Sequence, residues 1–188
     1  METPPAPAPD LDRDLAAHNE AVLAAPRDTA AVELIVRRPA RDEREVVGEV
    51  RLDPVEGLVG DDWLARGSKS TPDGSADPLS QLTIMSVRVL AAIEPDRDRW
   101  PLAGDQLYAD LDLSEENLPA GARLRIGEAL VEVTERPHTG CPKFAARFGH
   151  DALRWISTPA GRALRMRGMY VRVVEGGTVH VGDAIRKA

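Results

Sequence analysis

Cys141 is the only cysteine in the chain, and it opens the most basic stretch of the sequence. From Cys141 to Arg172 the basic residues are Lys143, Arg147, Arg154, Arg162, Arg165, Arg167 and Arg172, against one acid, Asp151. Gly140 before the cysteine and Pro142 after it set the thiol where a loop enters a helix. A thiol so placed meets the partial positive charge of a helix N-terminus, and Lys143 and Arg147 lie one turn apart on that helix. Such surroundings commonly favour the thiolate, which serves as nucleophile, sulfur carrier or soft-metal ligand. The alternative is a cofactor-free binding module, with Cys141 a buried structural thiol, small and inert, and the basic stretch a partner surface. His138 could pair with Cys141 as a base, but no third partner is visible, and a histidine after Pro137 reads as an exposed loop residue. His138, Cys141 and His150 do not match a zinc spacing. The turns Gly57-Leu-Val-Gly60-Asp61 and Gly104-Asp105 could present backbone N–H groups to an anion, but they read better as β-turns closed by aspartate. Asn117, in Ser-Glu-Glu-Asn-Leu-Pro, either caps a turn or points into a pocket.

The chain around these residues has 188 residues and a net charge of −7. That length fits one domain with a sizeable core. The net charge hides an asymmetry. Up to Gly121 there are 12 basic and 25 acidic residues, a net of −13; from Ala122 onward 12 basic and 6 acidic, a net of +6. An acidic protein is a poor generic nucleic-acid binder. A single cysteine excludes an intrachain disulfide framework and an all-cysteine zinc site. The N-terminal Met-Glu-Thr-Pro-Pro has no basic segment followed by an apolar run, and no apolar stretch reaches the ~18 residues of a membrane span. The expected location is the cytoplasm.

The elements that must position the thiol are mostly strands. Residues 1–9 read as a polyproline-like tail. Asp10 caps an expected helix to about Ala25, with Leu11, Leu15, Val22 and Leu23 as its stripe. AVELIVRRP and EVVGEVRLD carry the β-branched content of strands. Residues 67–78 form an expected exposed, mobile loop. QLTIMS reads as a buried strand, followed by a helix from Val87 that Ser86 caps and Pro95 ends. Gln106 to Leu113 alternate as on a half-buried strand. ARLRIGEALVEVTE is a hairpin turning at Gly127-Glu128. Two short helices, Cys141–Phe148 and Asp151–Ser157, flank Gly149, and three strands separated by Gly176-Gly177 and Gly182-Asp183 end the chain. The expected fold is mainly β with some α: an antiparallel barrel or folded sheet with short peripheral helices.

Taken in order, GLVGDDW, QLTIMS, GDQLYADLDLSEENLPAGARLRIGEALVEVTE, PHTGC and RGMYVRVVEGGTVHVGD resemble the MOSC domain. This module ends the molybdenum cofactor sulfurases and also occurs as a free-standing bacterial protein. The resemblance implies a MOSC-type β-barrel-like domain over residues 31–188, with residues 1–30 a proline-rich tail and short helix outside it. It further implies binding of molybdenum cofactor, an anionic pterin, with Cys141 coordinating molybdenum or bearing a persulfide. His138, Thr139, Lys143, Arg147, Asn117 and Arg167 are the accompanying candidates for the cofactor pocket, with Arg165 and Arg172 as further cations for its phosphate. Some relatives reduce N-hydroxylated bases and amidoximes, which would call for a separate electron-donor protein. The pyridoxal-phosphate desulfurase domain of the sulfurases is missing from this sequence, so pyridoxal phosphate is not expected. Where many free-standing members carry a histidine shortly after the first Gly-Asp, this chain has Asp62-Trp63.

Overall fold

The computed structural model describes residues 15–188. Among these residues, seven strands close a barrel. In order around it they are β1 (Thr29–Arg37), β11 (Ala184–Lys187), β7 (Arg123–Ile126), β8 (Ala129–Val133), β9 (Met169–Glu175), β5 (Leu82–Ser86) and β6 (Leu107–Ala109), which returns to β1. Closure depends on β1 changing partners along its length. Thr29–Ala31 pair with β11, Val32–Ile35 with β6, and Ile35–Arg37 with β2 (Glu45–Val47), a strand added outside the ring. Every pair in the ring is antiparallel except β5–β6, which is parallel. The sheet is therefore mixed, because helix α3 (Val87–Ile93) and a 3₁₀ segment (Arg97–Ala103) make the crossover that a parallel pair needs.

Strand periodicity separates two cores. Leu82 and Ile84 of β5 point into the barrel with Leu107, Val131 and Val171. Met85, from the opposite face, packs outside with Val89 and Leu90 of α3, Phe144 and Phe148 of α4 (Pro142–Phe148) and Trp155 of α5 (His150–Ile156). Since both faces are covered, all five residues of β5 are buried. The outer core presses α4, and with it Cys141, onto one side of the barrel.

Several elements differ from the expectation. EVVGEVRLD divides at Gly48: β2 joins the barrel, while β3 (Glu49–Asp53) forms a second sheet with β4 (Gly57–Leu58) and β10 (Gly177–His180). The Gly176-Gly177 turn therefore does not fold β9 back as a hairpin but carries the chain across to β3. The strand expected from Gln106 to Leu113 is only β6, fully buried rather than half-buried. A further helix, α6 (Pro159–Ala163), follows α5, capped by the Thr158 hydroxyl, which accepts from the Gly161 N–H. Ser86 precedes α3, but its hydroxyl makes no cap bond. In helix α1 (Leu15–Leu23), Val22 joins the outer core and Leu23 is exposed; Asp10 and Leu11 lie outside the described residues. As expected, the loop at 67–78, which follows the short helix α2 (Trp63–Arg66), is mostly exposed; within it the Thr71 hydroxyl donates to the Ser68 and Ser75 carbonyls. No helix among the described residues is long and apolar enough to cross a membrane.

Candidate functional site

Three consecutive carbonyls organise the surroundings of the thiol. Leu102 O accepts from Arg147 Nη1 at 2.8 Å, Ala103 O from Arg167 Nη2 at 2.9 Å, and Gly104 O from Arg38 Nη1 at 3.0 Å. They end the 3₁₀ segment Arg97–Ala103, where exposed carbonyls favour cations. Three arginines from distant parts of the sequence are thereby fixed around one opening. The resulting cavity, of about 260 Å³, is also lined by Arg44, Arg66, Lys143, His138 and Cys141.

Cys141 is exposed. It is the residue before α4, and its carbonyl accepts from Phe144 N at 2.9 Å. The inert-thiol alternative required burial, and the side chain is not buried. Gly140 lets the segment before it lie against α5, since a Cβ there would collide with Leu153 Cδ1. Phe144, one turn into α4, lies under the Arg167 guanidinium at 5.0 Å, so the helix and the buried arginine hold each other.

Beneath the cavity is a buried charged group. Arg167 Nη1 donates to Asp105 Oδ2 at 2.7 Å; their side chains are 8% and 0% exposed. Burial pushes the Asp105 carboxyl above the usual carboxylate range despite the Arg167 charge. His138 Nδ1 stands 3.6 Å from Asp105 Oδ1, too far for a hydrogen bond. Both atoms are buried without a partner, as is Arg167 Nε. The His138 ring packs on Tyr170 with centroids 4.4 Å apart. His138 is thus not the exposed loop histidine expected from Pro137. Burial, reinforced by Arg167 and Arg38, holds its pKa well below the ordinary histidine value, so it is neutral at pH 7.

At the rim, Arg38 makes two 2.8 Å bonds to the buried carboxylate of Asp61. Burial lowers the pKa of its guanidinium, but the Asp61 bonds and charge outweigh that and raise it overall. Arg44 has no such partner: burial pushes it down, Arg147 and Arg38 add to the effect, and its Nε is buried without an acceptor. Asp42 bridges Lys143 Nζ at 2.7 Å and Arg147 Nη2 at 3.3 Å, and the Lys143 bond holds its carboxyl below the usual range.

Of the residues singled out in the sequence, Cys141, His138, Lys143, Arg147 and Arg167 line this cavity. Thr139 and Arg165 line an adjoining one. Arg172 is elsewhere, paired with Glu132. Asn117 lines neither cavity: its amide donates to the carbonyls of Arg27 and Asp112 and accepts from Arg27 and Lys187, joining the chain ends to the turn before β7. Arg38, Arg44, Arg66 and Asp105 were not singled out as site residues. The three arginines come from the half with a net charge of −13, where a sum of charges hides them. Asp105 reads from sequence as a turn residue.

A family model described as the MOSC domain matches residues 78–186. The chain belongs to the MOSC domain family. That family is associated with molybdenum cofactor binding. No curated protein matches the sequence. Solved structures similar to this MOSC protein include the YuaD protein from Bacillus subtilis, 19% identical with a TM-score of 0.59, covering 84% of this chain and 94% of that one. YiiM from Geobacillus stearothermophilus is 17% identical, with a TM-score of 0.59 over 85% and 75% of the two chains. YiiM from Escherichia coli is 21% identical, with a TM-score of 0.55 over 84% and 69%. At these identities the likeness is one of fold.

Proposed function

We propose that this MOSC protein holds molybdenum cofactor in the cation-lined cavity, with Cys141 as the protein's ligand to the metal, and acts as a small reductase of N-hydroxylated compounds served by a separate electron-donor protein. One observation carries the reading: an exposed thiol opens onto a cavity whose arginines include two, Arg44 and Arg167, with buried Nε groups lacking any acceptor. A buried donor left unbonded is costly, and an anionic ligand supplies what is missing. The cofactor is a pterin dithiolene bearing a phosphate, so the donor set fits it. Arg44, Lys143 and Arg147 would hold the phosphate, arginine through its planar fork. Cys141 offers the soft sulfur that such a metal prefers.

When bound, the group supplies two-electron oxygen-atom transfer. The chain's own part is electrostatic and positional. His138, kept neutral by burial, can donate or accept a hydrogen bond toward a substrate without adding charge. Asp105 holds Arg167, and Arg167 steadies Phe144 and the start of α4. The exposure of Cys141 also favours a second reading, in which the thiol carries sulfur as a persulfide.

The test is the content of protein purified from a molybdate-replete host. Stoichiometric molybdenum with a fluorescent oxidised pterin, both lost in Cys141→Ala, supports the proposal. Full metal and pterin in that variant would remove Cys141 as ligand. A metal-free protein carrying about 32 Da extra on Cys141, the mass of one sulfur, would favour the persulfide reading.

A further inference from the structure

A second cavity, of about 350 Å³, adjoins the first, with His138 and Arg167 lining both. Ile156, Met169 and Pro137 give it an apolar wall, and Arg136, Arg162, Arg165 and Arg167 face it with Glu115 as the one carboxylate. Two of these arginines are already paired, Arg136 with Asp77 and Arg167 with Asp105. Arg162 and Arg165 have no ion-pair partner among the described residues.

Arg165 is the anomaly. Its backbone φ is +46°, a left-handed conformation unusual for a residue other than glycine. That conformation aims its side chain so that Nη1 donates to Leu118 O at 2.6 Å and Leu113 O at 3.4 Å. Its Nε and Nη2 donate to nothing among the described residues. Burial pushes its pKa down, opposed only by the charge of Glu115, which does not bond it. A half-buried cation is normally matched by a counter-charge. Here the guanidinium is anchored on one edge and open on the other, next to the buried and equally unpartnered Nε of Arg167, whose side chain is 8% exposed.

We infer that this second cavity is a binding site for a small organic oxyanion, a carboxylate or phosphate monoester carried on an apolar body. The oxyanion completes Arg165 and Arg162, which suit it through their forked donors. The apolar body lies against Ile156 and Met169. The site rests on Arg165 and its surroundings and is independent of Cys141 and of any metal.

Calorimetric titration of the full chain with benzoate, phenyl phosphate and, as neutral control, benzyl alcohol tests this. Benzoate or phenyl phosphate binds saturably and benzyl alcohol does not; the tighter of the two anions identifies the oxyanion class. Arg162→Ala, at an exposed position that leaves the fold intact, weakens binding about fivefold, and Arg165→Gln about tenfold or more. Lys143→Ala and Cys141→Ala leave it unchanged within about twofold. Failure of both anions to bind would overturn the inference. So would binding that survives both arginine substitutions, or that falls with Lys143→Ala and so belongs to the thiol cavity. None of these readouts involves molybdenum, so failure here and failure of the cofactor reading are distinguishable.

Discussion

Arg167 and Asp105 should be strongly coupled in stability, and the size of the coupling follows from their burial. Asp105 is wholly buried and Arg167 nearly so. Removing Arg167 alone, as Arg167→Met, strips a buried carboxylate of its only bonded cation, leaving the unbonded charge of Arg38, and deprives Ala103 O of its donor. Breaking a buried pair in this way costs about 3–5 kcal/mol. For a chain of this size each kcal/mol moves the midpoint of thermal unfolding by about 2–4 °C, so the expected fall is about 6–20 °C. Burial raises the Asp105 carboxyl even beside Arg167, which means that the pair does not fully offset its own desolvation. Replacing both partners with apolar groups, as Arg167→Met with Asp105→Leu, should therefore recover most of the loss. The assay is a double-mutant cycle by denaturant unfolding, with Arg172→Met, which breaks the exposed pair with Glu132, as a control costing below about 1 kcal/mol. The coupling should exceed about 2 kcal/mol. Additive losses from the two single substitutions would refute the reasoning.

His138 should give the fold a pH dependence of definite sign. Its folded-state pKa lies below the unfolded value of 6.5, so its stabilisation is complete above that value and is lost as pH falls through it. The slope, up to about 1.4 kcal/mol per pH unit, should flatten between about pH 7.5 and 5 in His138→Gln when unfolding free energies are compared; an unchanged slope would assign the dependence to other groups. Asp105, raised rather than lowered, works in the opposite sense, its stabilisation fading as pH rises. Gly168→Ala should lower the thermal midpoint by about 5 °C or more, because φ is +92° and a Cβ would sit 2.6 Å from Ile84 O; Gly182→Ala, at φ +93° with open space around it, should cost much less. Asp42→Asn frees Lys143 and Arg147, so pyrophosphate titrated into the protein should bind up to about fivefold tighter; weaker binding would show that Asp42 does not compete for those cations.

The thiol end of the site was legible in the sequence because its residues are neighbours there. Cys141 stands immediately before the short helix that carries Lys143 and Arg147, and Gly140 and Pro142 mark its start. The barrel was legible from strand periodicity and from the Gly127-Glu128 turn of the β7–β8 hairpin. The rest of the site was not. Arg38, which follows β1 and bonds Gly104 O, and Arg44 line the same cavity as the thiol about a hundred residues away in sequence, and no local pattern encodes that meeting. Asp105 follows a glycine in a turn, which sequence reasoning assigns to turn closure; its burial arises only when β6 is sealed against β1 and β5. His138 reads as exposed after Pro137 because packing against Tyr170 is a tertiary event. Asn117 reads as a candidate ligand because an amide that joins distant backbone groups looks the same in sequence as one that faces a pocket.

The central claim is that Cys141 is the protein's ligand to molybdenum, and X-ray absorption at the metal edge of the purified holoprotein tests it directly. The account predicts one more sulfur ligand at molybdenum in the wild type than the dithiolene supplies, with that sulfur, or the metal altogether, missing from Cys141→Ser. The same sulfur count in both proteins would contradict it.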